Sequence, residues 1–149
     1  MKTALLDVNV LTAMLWPAHE HHEAAHRWIG ARAQAGWASC PLTQLGFVRL
    51  VSNPAFSRDS LSPSHAAALL TDNLRHERHE FWKDTLPVAA AVKDLDDRLQ
   101  GHNQWTDAYL LATAIAHKGL LATFDRGVVS LAGATHAGSV ELVLTRTQQ

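Results

Sequence analysis

A chain of 149 residues, 47% of them hydrophobic, has the length and apolar content for one domain spanning residues 1–149 and not for two. A formal net charge of -1 excludes a globally basic, nonspecific nucleic-acid binder while leaving room for a local basic groove. The single cysteine, Cys40, excludes a disulfide framework and a multi-cysteine zinc site, and its apolar neighbours point to a buried structural thiol.

In chain order, "TALLD" at 3–7 reads as a buried strand ending on an acid, followed by a helix through "VNVLTAML". Asp7 and Asn9 interrupt this first hydrophobic stretch. No run approaches the ~18 apolar residues of a membrane span, so a soluble cytoplasmic protein with no membrane contact is expected. After Trp16-Pro17, the residues Ala25, Trp28, Ile29 and Ala33 recur at helical spacing from Glu20 to about Ala35, with Gly36 as the stop and "WASC" at 37–40 as the second strand. A helix follows at 42–51, closed by the turn "SNP"; the next starts with Ser62 as N-cap and Pro63 at its first position. "EFW" at 80–82 is a third strand candidate, "AAAVKDLDDRL" at 89–99 a helix and "QGHNQ" at 100–104 a loop. Thr106 is the expected cap of the helix "DAYLLATAIAHK", and Gly119 its end. "LLATFD" at 120–125 and "VELVL" at 140–144 complete the strands. Strands separated by helices predict an α/β fold, a central parallel sheet flanked by helices on both faces.

In such a sheet, ligands bind beyond the carboxyl ends of the strands. Asp7 and Asp125 end two strand candidates, and Asp107 opens a helix whose positions 110, 111 and 114 are apolar, so three carboxylates are expected at one edge. Like charges held close raise one another's pKa, and such clusters are tolerated mainly where a divalent cation neutralises them. Magnesium or manganese suits carboxylate oxygens and could activate water against a phosphodiester. Taken singly, Asp107 is also what a helix start prefers and Asp125 what a tight turn prefers. Asn9 could hydrogen-bond Asp7 or merely shape the strand-to-helix turn.

Three blocks, "LLDVNVL", "CPLTQLGFVRLVSNP" and "WTDAYLLATAIAHKGLLATFDRG", occur in this order across nearly the whole chain. Together they resemble the PIN-domain ribonucleases, and most closely the VapC-type toxins of bacterial toxin–antitoxin pairs. The resemblance implies a PIN fold and an endoribonuclease dependent on Mg2+ or Mn2+. It also implies cleavage that leaves a 5′-phosphate and a 3′-hydroxyl, inhibition by a cognate VapB-type antitoxin, and a homodimer. On the same grounds Asp7, Asp107 and Asp125 look like the metal-binding, catalytic carboxylates, and Asn9, Thr106, Thr123 and Arg126 like supporting residues around them.

One position departs from the pattern. Many PIN domains carry a glutamate on the helix after the second strand, where this chain has Gln44, an amide that cannot serve as a carboxylate ligand. The departure leaves several readings: weaker metal binding, a single metal held through water, a supporting role for Gln44 in orienting a metal-bound water, or a catalytically impaired module that binds RNA or a partner. Asp84 is a candidate replacement acid, with a solvated turn as its plainer role. For RNA contact, Arg49, Arg58, Arg75, Arg78 and Lys83 lie in the central third, although such charge-rich stretches usually face solvent. Among the tryptophans, Trp105 beside Thr106-Asp107 is expected near the crevice.

A competing motif stands at His22-Glu23-Ala24-Ala25-His26, which matches H-E-x-x-H. A catalytic zinc needs a third protein ligand, and at the positions where the metzincin pattern wants glycine and histidine this chain has Ile29 and Arg32. The expectation is a solvent-facing, histidine-rich helix start in which His19, His21, His22 and His26 could bind stray zinc or nickel.

Overall fold

Alternation along the first strand decides the architecture. In β1 (Ala4–Leu6) all three residues are buried, with Ala4 and Leu6 in one apolar cluster and Leu5 in the other. Successive strand side chains point to opposite faces, so both faces of the sheet are covered. The computed structural model describes residues 1–32 and 34–145, and the backbone alone at Asp96. Its strands are β1, β2 (Trp37–Ser39), β3 (His79–Phe81), β4 (Leu120–Thr123) and β5 (Val140–Leu142). They lie in the order β3-β2-β1-β4-β5 with every neighbouring pair parallel. Leu5 at the centre stands opposite Ala38 on one side and Leu121 on the other.

Helices α1 (Val8–Leu15), α2 (His22–Ala31), α3 (Pro41–Val51) and α4 (Pro63–Leu74) cover one face around Val10, Leu11, Met14, Ile29, Trp37 and Phe47. The single turn α5 (Val88–Ala91), α6 (Trp105–Ala116) and α7 (Arg126–Ala132) cover the other with Trp82, Leu95, Leu110, Leu111, Val128 and Leu131. The chain builds outward from β1 through β2 to β3, then returns to place β4 on the far side of β1. Strand order therefore reverses between β1 and β4, and in open sheets of this kind ligands bind beyond the carboxyl ends at such a point.

Two glycines permit contacts that a side chain would block. A Cβ on Gly46 would lie 2.5 Å from Val8 Cγ2, so α3 reaches the first residue of α1 only because position 46 is bare. A Cβ on Gly119 would lie 2.5 Å from the Thr3 carbonyl and 2.6 Å from the Trp82 ring. Gly119 therefore lets the turn between α6 and β4 pack closely on Thr3 and the Trp82 ring. The left-handed residue that ends α6 is Lys118, at φ 58°.

Several boundaries differ from the sequence expectation. Helix α2 stops at Ala31, and of the apolar positions assigned to it Ala33 lies outside the described residues. The helix expected over 89–99 is the turn Val88–Ala91 followed by a 3-10 turn at Asp96–Arg98. In that stretch Val92 and Leu95 are buried while Lys93 and Asp94 are exposed, too few apolar anchors for a continuous helix. Thr106 is not the cap of α6: Gln104 precedes the helix and Thr106 is its second residue. Helix α7 was not anticipated, because "DRGVV" reads as a turn. Ser62 does cap α4, accepting from the His65 amide at 3.2 Å. Cys40 is fully buried ahead of α3, and burial pushes its thiol pKa up, as a structural role requires. No helix among the described residues is long and apolar enough to cross a membrane.

Candidate active site

The Asp7 amide donates to the Ala122 carbonyl at 3.0 Å, which continues the β1–β4 pairing one residue beyond β1. The Asp7 carboxylate then turns back as the N-cap of α1 and accepts from the Val10 amide at 3.0 Å. It is 7% exposed. An acid ends this apolar strand because its oxygen satisfies an amide at the helix start that would otherwise lack a partner.

Thr123, the last residue of β4, links Asp7 to the next acid. Its hydroxyl hydrogen-bonds Asp7, and its oxygen accepts the Asp125 amide at 3.1 Å. Asp125 caps α7 through the Gly127 amide at 2.7 Å, and its side chain is exposed at the mouth of the crevice. Asp107, in the first turn of α6, is half-buried. The three acids thus come from three separate elements, each at a helix start where the helix dipole favours negative charge.

The three carboxylates share one electrostatic environment. Burial pushes the Asp7 carboxyl up; the Thr123 hydroxyl and the amides of Val10 and Asn9 pull it down, and Asp125 adds a smaller upward push. Asp107 is pushed up to about 6, first by burial and then by the charges of Asp7 and Asp125. Among the described residues no three His, Cys, Asp or Glu side chains stand in chelating geometry. The acids therefore form a shared negative field, without a closed cage. Hard oxygen donors that raise one another's pKa and leave room for water fit a small divalent cation such as Mg2+, which keeps several of its waters.

The other sequence candidates are placed as follows. The Asn9 backbone amide, with its side chain exposed, is what supports Asp7. Gln44, on the first turns of α3, donates from Nε2 to Ser39 Oγ at 3.0 Å. Thr106 is exposed and lines a cavity of about 350 Å³ with Trp105, Tyr109, Leu42, Val88 and Asp84. Trp105, 47% exposed, opens α6 two residues before Asp107. Arg126 is exposed at the first position of α7. Asp84 accepts the Leu42 amide at 3.1 Å through Oδ2 at the start of α3, while its Oδ1 is buried without a hydrogen-bond partner. The central cations do not form one row: Arg78 turns to the Ala35 carbonyl, Arg75 pairs with Asp72, and Arg49 lines a groove beside Val8. Sequence reasoning missed Ser39 and His79. Ser39 sits in an unremarkable strand and His79 in a stretch that reads as solvated, and only the β2–β3 pairing brings them together.

The H-E-x-x-H histidines have a different use. His22 Nδ1 lies 2.7 Å from the Ala13 carbonyl and His26 Nε2 2.8 Å from that of Met14. These oxygens belong to the last turn of α1, where carbonyls lack intrahelical donors. The two rings, 4.3 Å apart, both reach carbonyls of that helix end; His22 is half-buried and His26 is exposed, so the solvent-facing expectation holds for His26.

A family model described as PIN domain matches residues 4–134. The chain is 45% identical over 134 residues to Ribonuclease VapC44 of Mycobacterium tuberculosis, covering 89% of this chain and 94% of that protein. It is 40% identical over 141 residues to Ribonuclease VapC39 of the same organism, covering 95% and 99%. Among solved structures it is similar to FitAcB from Neisseria gonorrhoeae, with a TM-score of 0.53 and 23% identity over 87% of this chain and 93% of that one. At that identity the likeness concerns the fold. With its parallel sheet and a carboxylate crevice at the strand-order reversal, the chain belongs to the PIN-domain family and groups there with the VapC ribonucleases.

Proposed function

We propose that this protein is a divalent-metal-dependent endoribonuclease, the toxin of a toxin–antitoxin pair. The observation that carries the reading is the meeting of Asp7, Asp107 and Asp125 in one field at the β1–β4 edge. In this account the three carboxylates hold Mg2+ or Mn2+, with Thr123 keeping Asp7 and Asp125 in register. A bound cation of this kind supplies Lewis acidity toward a phosphate oxygen and lowers the pKa of water. In the metal-free chain Asp107 keeps its proton up to about pH 6, so a cation that used this carboxylate would displace that proton. Trp105 and Thr106 offer an aromatic face and a hydroxyl to RNA beside that acid.

The relatives' names support the ribonuclease activity, and the resemblance to their family supports a VapB-type antitoxin as partner and a homodimer as the assembly. The noncatalytic module that Gln44 brought into view gains no support from relatives of matching length that are named ribonucleases. The test is cleavage of a panel of single-stranded and structured RNAs with Mg2+, Mn2+ or EDTA. Cleavage that needs a divalent ion and stops with EDTA is expected; undiminished cleavage in EDTA would refute metal dependence.

A further inference from the structure

The cavity of about 350 Å³ at the start of α6 combines aromatic walls with one unsatisfied carboxylate. Trp105 and Tyr109 are four residues apart on α6, so their rings share one face of the helix. Leu42 of α3 and Val88, 56% exposed at the start of α5, add apolar surface. Among the described residues that line the cavity, Asp84 is the one with a charge. Its Oδ2 takes the Leu42 amide, and its Oδ1 is buried with no hydrogen-bond partner. An unpaired buried acceptor is costly. The neighbours do not supply a strong donor. The Tyr109 hydroxyl gives its proton to the Leu86 carbonyl at 2.9 Å, and the Cys40 thiol, whose pKa burial and then the Asp84 charge push up, is only a weak donor. The terminal torsion of an aspartate is soft, so a donor entering the cavity can draw either oxygen toward it.

Helix geometry ties this cavity to the acids. Each residue turns its side chain by ~100° about the helix axis, so Thr106, which lines the cavity, stands between Trp105 and Asp107. A base held against Trp105 therefore belongs to a nucleotide flanking the one at the acids, with its ribose and phosphate passing over the Thr106 hydroxyl. A carboxylate accepts through two oxygens side by side. Guanine presents two adjacent donors on its Watson–Crick edge, N1–H and the N2 amino group. Adenine and cytosine present one donor beside an acceptor, and uracil one donor between two acceptors. The uncharged faces of the purine suit the apolar and aromatic walls.

We propose that this cavity is a guanine-reading subsite: Trp105 stacks on the base, Asp84 accepts from its N1 and N2 donors, and RNA is cut beside the guanine held there. The position of the cut rests on the nuclease reading; recognition of the base does not. The test is proton–nitrogen NMR of the 15N-labelled full chain, following the Trp105 indole N–H, assigned with Trp105→Phe. The ligands are 5′-mononucleotides in Mg2+, which hold no phosphodiester to cut, and guanosine in EDTA, which needs neither metal nor phosphate. GMP is expected to move the Trp105 signal and to bind at least ~10-fold more tightly than AMP, CMP or UMP. Inosine 5′-monophosphate, which lacks the N2 amino group, is expected to bind more weakly than GMP. Asp84→Asn keeps an oxygen for the Leu42 amide but sets an N–H against the guanine donors, so it should erase the preference for GMP. In Mn2+, cuts in single-guanine oligoribonucleotides should track the guanine in wild type and lose that register in Asp84→Asn. A Trp105 signal unmoved by GMP and guanosine, equal affinity for the four nucleotides, or an undiminished GMP preference in Asp84→Asn would overturn the proposal. So would a shift caused by free arginine and not by GMP, which would assign the cavity to a side chain of a protein partner. Asp7→Asn separates the two readings: it should end cleavage with guanosine binding unchanged. A wild type that binds guanosine and cuts no RNA would support the subsite and count against the nuclease.

Discussion

Asp107, pushed up to about 6 by burial and by its two acidic neighbours, keeps a proton in the folded chain at pH values where the unfolded chain has lost it. Between about pH 4 and 6 the folded state binds more protons, so stability falls as pH rises through that window and stays lower above it. Asp107→Asn removes this loss. After allowance for the exposed part of the side chain, the metal-free variant should be about 1–2 kcal/mol more stable than wild type at pH 7.5, with little difference at pH 3.5. Urea unfolding at the two pH values checks this. Asp7 was legible in the sequence because an acid inside an apolar run gains nothing from solvent. The Thr123 bridge was visible only through the family resemblance, since its partners lie at opposite ends of the chain.

Helix α1 connects the site to the histidine pair. Asp7 caps one end, and His22 and His26 cap the other. Replacing either histidine with alanine should cost about 0.5–1.5 kcal/mol and leave Mn2+-supported cleavage in place, as parallel unfolding and activity assays would show. A zinc enzyme built on these residues would lose its activity. The α1–α3 contact makes a second prediction. Gly46→Ala drives a methyl into Val8 and should destabilise the fold by about 1–3 kcal/mol, and Val8→Ala should recover most of that loss in the double variant. Thermal unfolding of the four proteins closes the cycle. Long periodic helices such as α3 and α6 could be read from their apolar spacing. Helix α7 could not: it has seven residues and begins Arg-Gly, and it is held by the Asp125 cap together with the packing of Val128 and Leu131 on the sheet.

For the whole molecule, the sheet order places every apolar strand between two helical layers and concentrates negative charge at the one reversal point. The α/β class followed from the alternation of strands and helices, but the order β3-β2-β1-β4-β5 depends on pairings between distant segments that no local pattern records. A cation that binds only the folded state stabilises it by mass action. Mg2+ or Mn2+ should therefore raise the melting temperature at pH 7.5 and do so much less at pH 5, where Asp107 is largely protonated. The measurement that bears most directly on the central claim is RNA cleavage in Mn2+ by wild type beside Asp7→Asn, Asp107→Asn and Asp125→Asn, each checked for folding. One shared metal centre predicts that every one of the three substitutions lowers the rate by at least about 100-fold. A folded variant of any of these acids that cuts at the wild-type rate would contradict it.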